Sequence, residues 1–272
     1  MALAPSTRVV ITGAGSGLGK ALALALGRRG ARLQLSDRHL ESVEKTAHEA
    51  LSAGAREAVP LRCDVSQLID IEALADDAMK RWGGLDLLIN NAGIGSGGEV
   101  GETELDTWRR TLDINLWGVI YGCHVFTPLL RKQGSGHVLN VASVAGLIYT
   151  PGMGPYNVSK AGVVALSETM HAELRTKGVG VTVLCPSFFQ TGILDEPLGV
   201  DAKGLRFARS QMKRSKLDAA AVAEAALAAV EANKLHAVPM TDGRWLWRAR
   251  RVSPGLFVTA MGKLRERVMN RG

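Results

Sequence analysis

Hydrophobic positions along this chain fall into two alternating textures. Short continuous apolar runs, many of them β-branched, occur at Val9–Thr12, Leu33–Ser36, Ala58–Cys63, Leu85–Ile89, His137–Val141, Val179–Leu184 and His236–Met240. Longer stretches with helical patterning lie between them, at Lys20–Arg29, His39–Ala53, Ile69–Trp82, Glu104–Leu130, Tyr156–Lys177 and Asp218–Ala232. Runs that are apolar throughout, rather than at alternate positions, suit strands covered on both faces. Strand and helix alternating at this spacing predict parallel pairing through right-handed crossovers. The expectation is an α/β protein: a doubly wound parallel sheet of about seven strands with helices on both faces.

The ends of these strands carry small and polar residues: Thr12-Gly13, Asp37, Asp64, Asn90-Asn91-Ala92-Gly93, Ser143 and Pro186-Ser187. In open parallel sheets ligands bind outside the carboxyl ends of the strands, so this edge defines one crevice. Asp64, before Val65-Ser66, reads equally well as a turn or cap residue, and Asn90 and Asn91 as turn formers.

The first strand runs into Gly13, Gly15, Gly17 and Gly19 and then into a helix-favouring Ala/Leu stretch. Strand, glycine turn and helix N-terminus in that order make an anion site. The backbone can approach a phosphate closely, and unpaired N–H groups face it. This spacing is not the G-x-G-x-x-G fingerprint, so the glycines alone leave a plain turn open. Asp37, 20 residues after Gly17 at the end of the second run, is placed to accept hydrogen bonds from an adenosine ribose. The pattern therefore predicts a Rossmann-like site for a dinucleotide.

Tyr156 and Lys160 are four apart at the start of a predicted helix and share a face. They follow a loop, Val144 to Pro155, that leaves the fifth strand just after Ser143. A phenol of pKa ~10 is a poor base at neutral pH. A positive charge ~4 Å away, at an effective dielectric of ~20, contributes about 4 kcal/mol, which is expected to bring Tyr156 toward neutral. Tyr156 could then exchange a proton with an alcohol while Ser143 holds the same oxygen. Hydride chemistry would belong to the nicotinamide.

Taken together, Thr12-Gly13-Ala14-Gly15-Ser16-Gly17-Leu18-Gly19, Asp64-Val65, Asn90-Asn91-Ala92-Gly93, Asn115, Ser143 and Tyr156-Asn157-Val158-Ser159-Lys160 resemble a short-chain dehydrogenase/reductase of the single-domain kind. The match runs from about Thr7 to Thr191 and more weakly to Gly243. The resemblance implies that Tyr156 is the acid/base, that Lys160 lowers its pKa and binds the nicotinamide ribose, that Ser143 positions substrate, and that Asn115 holds a water linking Lys160 to solvent. Read alone, Asn115 would be a helix surface residue. The implied cofactor contacts are Gly13, Ser16, Gly17, Leu18 and Gly19 at the phosphates, Asp37 at the ribose with Arg38 adenine-stacking or solvated beside it, Asp64 and Val65 at the adenine, and Asn91, Ala92 and Gly93 on the adenosine side. Pro186 and Thr191 would hold the carboxamide, although the family usually has Gly where this chain has Ser187. Asp37 favours NAD, with NADP possible through Arg38.

Composition adds bounds. The chain has 272 residues, 46% hydrophobic and 22% charged, and reads as one catalytic domain over 1–243 with an extension over 244–272. The first strand begins too early for a signal segment, and no apolar run approaches the ~20 residues of a membrane span. Cys63, Cys123 and Cys185 are widely spaced and read as buried free thiols, with no metal site. A cytoplasmic protein follows. Residues 190–217 read as an irregular flap. Phe188, Phe189, Ile193, Leu194, Leu198, Leu205 and Phe207, with Leu147, Ile148, Tyr149 and Met153 opposite, suggest a pocket for a hydrophobic secondary alcohol or ketone.

The net charge of +7 lies wholly in 244–272, which holds eight basic residues and one acid; the rest has 25 of each. Ser253-Pro254 is a sound helix start. Leu256, Phe257, Ala260, Met261, Leu264, Val268 and Met269 form a stripe, with Lys263, Arg265, Arg267 and Arg271 mostly off it. Such a helix can lie peripherally at an anionic bilayer, or cover a neighbouring subunit or its own body. No nucleic-acid recognition fold is visible. The overall reading is an NAD(P)-dependent oxidoreductase forming a homodimer or homotetramer. The alternative is a non-catalytic dinucleotide-binding sensor or scaffold.

Overall fold

A computed structural model describes residues 2–195 and 197–270, the last three as backbone only. Among the described residues there are seven strands: β1 (Arg8–Thr12), β2 (Arg32–Asp37), β3 (Glu57–Arg62), β4 (Leu87–Asn90), β5 (Gly136–Val141), β6 (Val179–Leu184) and β7 (His236–Ala237). They form one sheet in the order β3-β2-β1-β4-β5-β6-β7, with every neighbouring pair parallel. The doubly wound sheet expected from the pattern is therefore what the chain forms. The order reverses between β1 and β4, the topological switch point where such sheets open a crevice.

Alternate strand residues feed two cores. Val9, Ile11, Leu33, Leu35, Leu87 and Ile89 pack under α1 (Gly17–Gly27), α2 (Leu40–Ser52) and α9 (Ala219–Glu231). Val10, Leu88, Val138, Val181 and Val183 pack under α3 (Leu68–Trp82), α5 (Gly118–Gln133) and α7 (Gly154–Leu174). Both sheet faces are thus dry, which is why the strands lack a polar alternation.

Three segments differ from expectation. Glu104–Leu130 is not one α-helix. It is α4 (Leu105–Leu112), a π-helical turn at Asp113–Trp117 and then α5. The wider turn rotates Asn115 inward, so it is fully buried rather than on the helix surface. The flap is not irregular, since Gly192–Leu194 forms a 3₁₀ turn and Ala202–Arg214 forms α8. The Asp201 side chain accepts from Gly204 N at 2.6 Å, capping α8 and starting a helix whose apolar stripe is too thin to read. The last strand stops at Ala237, because Pro239 has no N–H to give a ladder.

After α6 (Ala145–Ile148), the remaining helices are α10 (Thr241–Val252) and α11 (Pro254–Asn270). The C-terminal extension is helical as expected, and α10 runs across the 243/244 boundary. Arg271 and the side chains of Val268 and Met269 lie outside the described residues. Among the described residues, no helix is long and apolar enough to cross a membrane.

Candidate active site

The crevice begins at the turn from β1 into α1. Gly13 has φ +65°, and a Cβ there would meet Ala92 Cα at 2.6 Å. A Cβ on Gly19 would collide with the Gly13 carbonyl oxygen. Side chains are excluded from both, so the backbone itself forms the crevice wall. The first turn of α1 has no side-chain cap, and its leading N–H groups lack helical acceptors. Asp37 Oδ2 accepts from Gly15 N at 3.0 Å and Oδ1 from His39 N at 3.1 Å. Each carboxylate oxygen keeps a lone pair to offer a hydroxyl. Arg38 Nε donates to His39 Nε2 at 2.8 Å.

Thr12 and Asn91 bind the first and fourth strand ends together. Thr12 Oγ1 accepts from the backbone N–H groups of Asn91 and Ala92 at 3.1 and 3.2 Å. The Asn91 amide donates to the carbonyls of Thr12 and Gly13 at 3.0 and 2.9 Å. Thr12 is thus a site-building residue whose role its position alone did not reveal. Its only signal was a hydroxyl at the last strand position. Asp64 is occupied locally, accepting from Ser66 N and Ser66 Oγ at 3.0 and 2.7 Å. That is the turn-forming use the sequence left open. Val65 is buried against Gly118.

Ser143, Tyr156 and Lys160 converge. Ser143 Oγ accepts from Ala145 N at 3.1 Å and donates to Pro186 O at 3.4 Å, and its hydroxyl lies near enough to the Tyr156 phenol to favour the phenolate. Tyr156 is 9% exposed and Lys160 is 3% exposed. The ammonium lies 5.8 Å from the centre of the Tyr156 ring and donates to Val141 O at 3.0 Å. Electrostatics differ from the expectation of a lowered phenol. Burial pushes Tyr156 up to about 12 despite the Ser143 hydroxyl. Burial likewise brings Lys160 down to about 8, against an opposing contribution from the neighbouring Cys185. For both groups the desolvation of burial is the largest cause of the shift.

Asn115 sits behind this pair. Its Oδ1 accepts from Ile94 N at 2.8 Å and its Nδ2 donates to Ile94 O at 2.9 Å. The amide therefore fixes the strand-like segment after Gly93. A Cβ on Gly93 would lie 3.1 Å from Asn115 Oδ1 and 3.4 Å from Lys160 Nζ, so these three positions form one small cluster.

Opposite the glycine turn, Thr191 comes over α1. Its Oγ1 accepts from Ile193 N at 3.4 Å, and its Cβ would be 3.6 Å from a Cβ on Gly17. Ser187 Oγ donates to Asp242 Oδ2 at 2.9 Å, joining this loop to α10. The apolar residues expected to line one pocket divide. Phe188 and Phe207 meet edge to face at 6.5 Å and are partly exposed. Leu147 and Ile148 belong to the core beneath α7, and Phe189 packs on the opposite core.

The family model for short chain dehydrogenases matches residues 7–197. The chain belongs to the short chain dehydrogenase family. Members of that family are oxidoreductases that act on small molecules with NAD or NADP. This short chain dehydrogenase is 37% identical over 213 residues to the probable oxidoreductase EphD of Mycobacterium tuberculosis, covering 78% of this chain and 36% of that one. It is 38% identical over 184 residues to 11-beta-hydroxysteroid dehydrogenase A of Sesamum indicum, covering 67% of this chain and 52% of the relative. Cyclohexanol dehydrogenase of Acinetobacter is 35% identical over 190 residues, covering 69% and 74%. The chain thus spans only a third to a half of the first two relatives. Among solved structures, a short chain dehydrogenase/reductase from Burkholderia phymatum in complex with NAD superposes with a TM-score of 0.88 at 34% identity, over 94% of this chain and 96% of that one. The glycine wall, the uncapped α1 and the half-buried Asp37 fit a dinucleotide.

Proposed function

We propose that this protein interconverts a secondary alcohol and a ketone, with Tyr156 as acid/base, Ser143 as the holder of the reacting oxygen and Lys160 as the ribose-binding cation. The observation that carries the reading is the buried Lys160 ammonium 5.8 Å from the centre of the buried Tyr156 ring, with Ser143 just beyond the end of the neighbouring strand β5. When bound, the nicotinamide supplies or takes the hydride. The chain's own residues supply the rest. Ser143 Oγ aligns the substrate oxygen, and the Tyr156 Oη proton is delivered to it or taken from it. A phenol held protonated suits the reductive direction at neutral pH. Asn115 acts through Ile94 and the cluster with Lys160.

The phosphates would lie over Gly13, Ser16, Gly17, Leu18 and Gly19, with the adenosine near Asp37, Arg38, Asp64, Val65, Asn91, Ala92 and Gly93. Pro186 and Thr191 would meet the carboxamide. NAD is favoured over NADP, because the Asp37 carboxylate pairs with a free 2′-hydroxyl and repels a 2′-phosphate. Relatives named for cyclohexanol and a hydroxysteroid support a cyclic, apolar substrate facing Phe188 and Phe207. A homodimer or homotetramer through the α4–α5 and α7 surface is supported by the exposed Trp117 and Val158 there.

The test is a panel of cyclic alcohols and ketones followed by NADH absorbance, with Tyr156→Phe as control. Turnover should fall 10²-fold or more in Tyr156→Phe, with NAD binding retained. Dinucleotide binding without turnover of any panel member would instead mark a non-catalytic binding protein.

A further inference from the structure

The extension formed by α10 and α11 has one committed face and one open face. On the committed face, Arg250 donates to Leu147 O at 2.5 Å and its guanidinium lies 3.7 Å over the Tyr149 ring. Phe257 packs against the core, and Arg265 pairs with Glu99. The extension is therefore docked on its own body, and the open face is what that docking leaves outside.

The open face is apolar at its corner. Val252, at the end of α10, is 87% exposed and Leu256, at the start of α11, is 75% exposed. Trp245 is 65% exposed and lies seven residues before Val252, two turns back on the same side of α10. Exposed arginines and lysines border these residues: Arg248, 5.8 Å over the Trp245 ring, with Arg251, Lys263 and Arg267.

We propose that this corner binds the surface of an anionic lipid bilayer. Charge selects the occupant. Residues 244–272 hold eight basic residues against one acid, while the remainder of the chain is neutral at 25 of each. A two-fold contact between copies would press this patch against itself and set like charges together. The neutral body of another copy offers no complement. A nucleic acid meets the charge but leaves Val252 and Leu256 in water. An anionic bilayer meets both, taking the apolar corner into the headgroup boundary, with Trp245 at the interface and the basic side chains toward the lipid charge. The same helices rest on Leu147, Tyr149 and Glu99, so bilayer binding leaves the docked face of the extension in place.

Flotation of the full chain with phosphatidylcholine vesicles, alone or mixed with phosphatidylglycerol, tests the proposal. The protein should float only with the anionic vesicles and should be released by added salt. The exposed-face variant Trp245→Ser/Val252→Ser/Leu256→Ser should cut the bound fraction tenfold or more with an unchanged melting temperature. Arg248→Gln/Arg251→Gln/Lys263→Gln/Arg267→Gln should do the same. Failure of the wild type to float, or flotation that neither variant changes, overturns the proposal. A larger sedimenting mass that the serine variant reduces, without vesicle binding, would assign the face to another copy. Duplex DNA binding without vesicle binding would assign it to nucleic acid. Flotation reads no turnover, so its outcome is separate from that of the Tyr156→Phe assay.

Discussion

The Lys160 ammonium donates to the Val141 carbonyl at 3.0 Å from a position only 3% exposed. Burial holds its pKa at about 8, below the 10.5 of a free lysine. Between those values the unfolded chain binds more protons than the folded one, so this group makes stability rise with pH over that window. Below pH 8 both states are protonated, and the buried charge imposes its full cost, about 3 kcal/mol. Lys160→Met should therefore be more stable than wild type at pH 7, with the difference shrinking toward pH 10. Urea unfolding of both proteins at the two pH values measures this. An equal difference at both would show that the ammonium is not the source.

The raised phenol makes a second pH statement. Tyr156 is held at about 12 by burial, above its ordinary 10. The protonated form needed for ketone reduction is full across neutral pH, whereas the phenolate needed for alcohol oxidation grows with pH. Oxidation should accelerate from pH 7 to 10 while reduction stays level or declines. Initial rates in both directions across this range check it. Oxidation that is flat with pH would require a different base.

Asn115 grips Ile94 by both ends of its amide. Asn115→Leu preserves bulk but strands a buried N–H and C=O, so a loss of about 1–3 kcal/mol is expected. Because the same amide borders Gly93 and Lys160, kcat should fall more than the KM for cofactor rises. Denaturation and steady-state kinetics together test this, and a variant with wild-type stability would dismiss the proposed grip.

Asp37 holds two backbone N–H groups and faces the ribose position proposed for the adenosine. Asp37→Asn keeps an acceptor and removes the charge. The KM for NAD should rise tenfold or more and that for NADP should fall, because the carboxylate that repels a 2′-phosphate is gone. A wild type that already prefers NADP would reverse the assignment.

Ser187 bonds Asp242 across the gap between the loop after β6 and the start of α10. Ser187→Ala should lose about 1 kcal/mol or less, because the pair is solvent-facing. Comparing it with Ser187→Gly in urea unfolding separates the lost hydrogen bond from added backbone freedom.

The periodicity of the chain was enough to read seven strands, their parallel pairing and most helices. Apolar runs such as Val9–Ile11 and Val181–Leu184 can be buried on both faces only between two helical layers. The glycine turn, Ser143, Tyr156 and Lys160 were equally legible, because their spacing along strand ends and one helix face is local information. Helix α8 was not legible, since a mostly exposed helix with Met212 as its buried residue leaves too thin a stripe.

What only the tertiary structure decided is inward and long-range. Asn115 turns into the core through a π turn that no local pattern signals, and it finds Ile94, 21 residues away. The electrostatic balance at Tyr156 and Lys160 followed from burial, a property of the layers above them rather than of their four-residue spacing. The tail's basic and apolar residues could be counted in sequence. Which of them face the body, as Arg250 and Phe257 do, and which face outward, as Trp245 and Val252 do, was set by packing against Leu147, Tyr149 and Glu99. Local spacing fixes which residues share an element. The free energy of burying one face rather than another is known only once the elements meet.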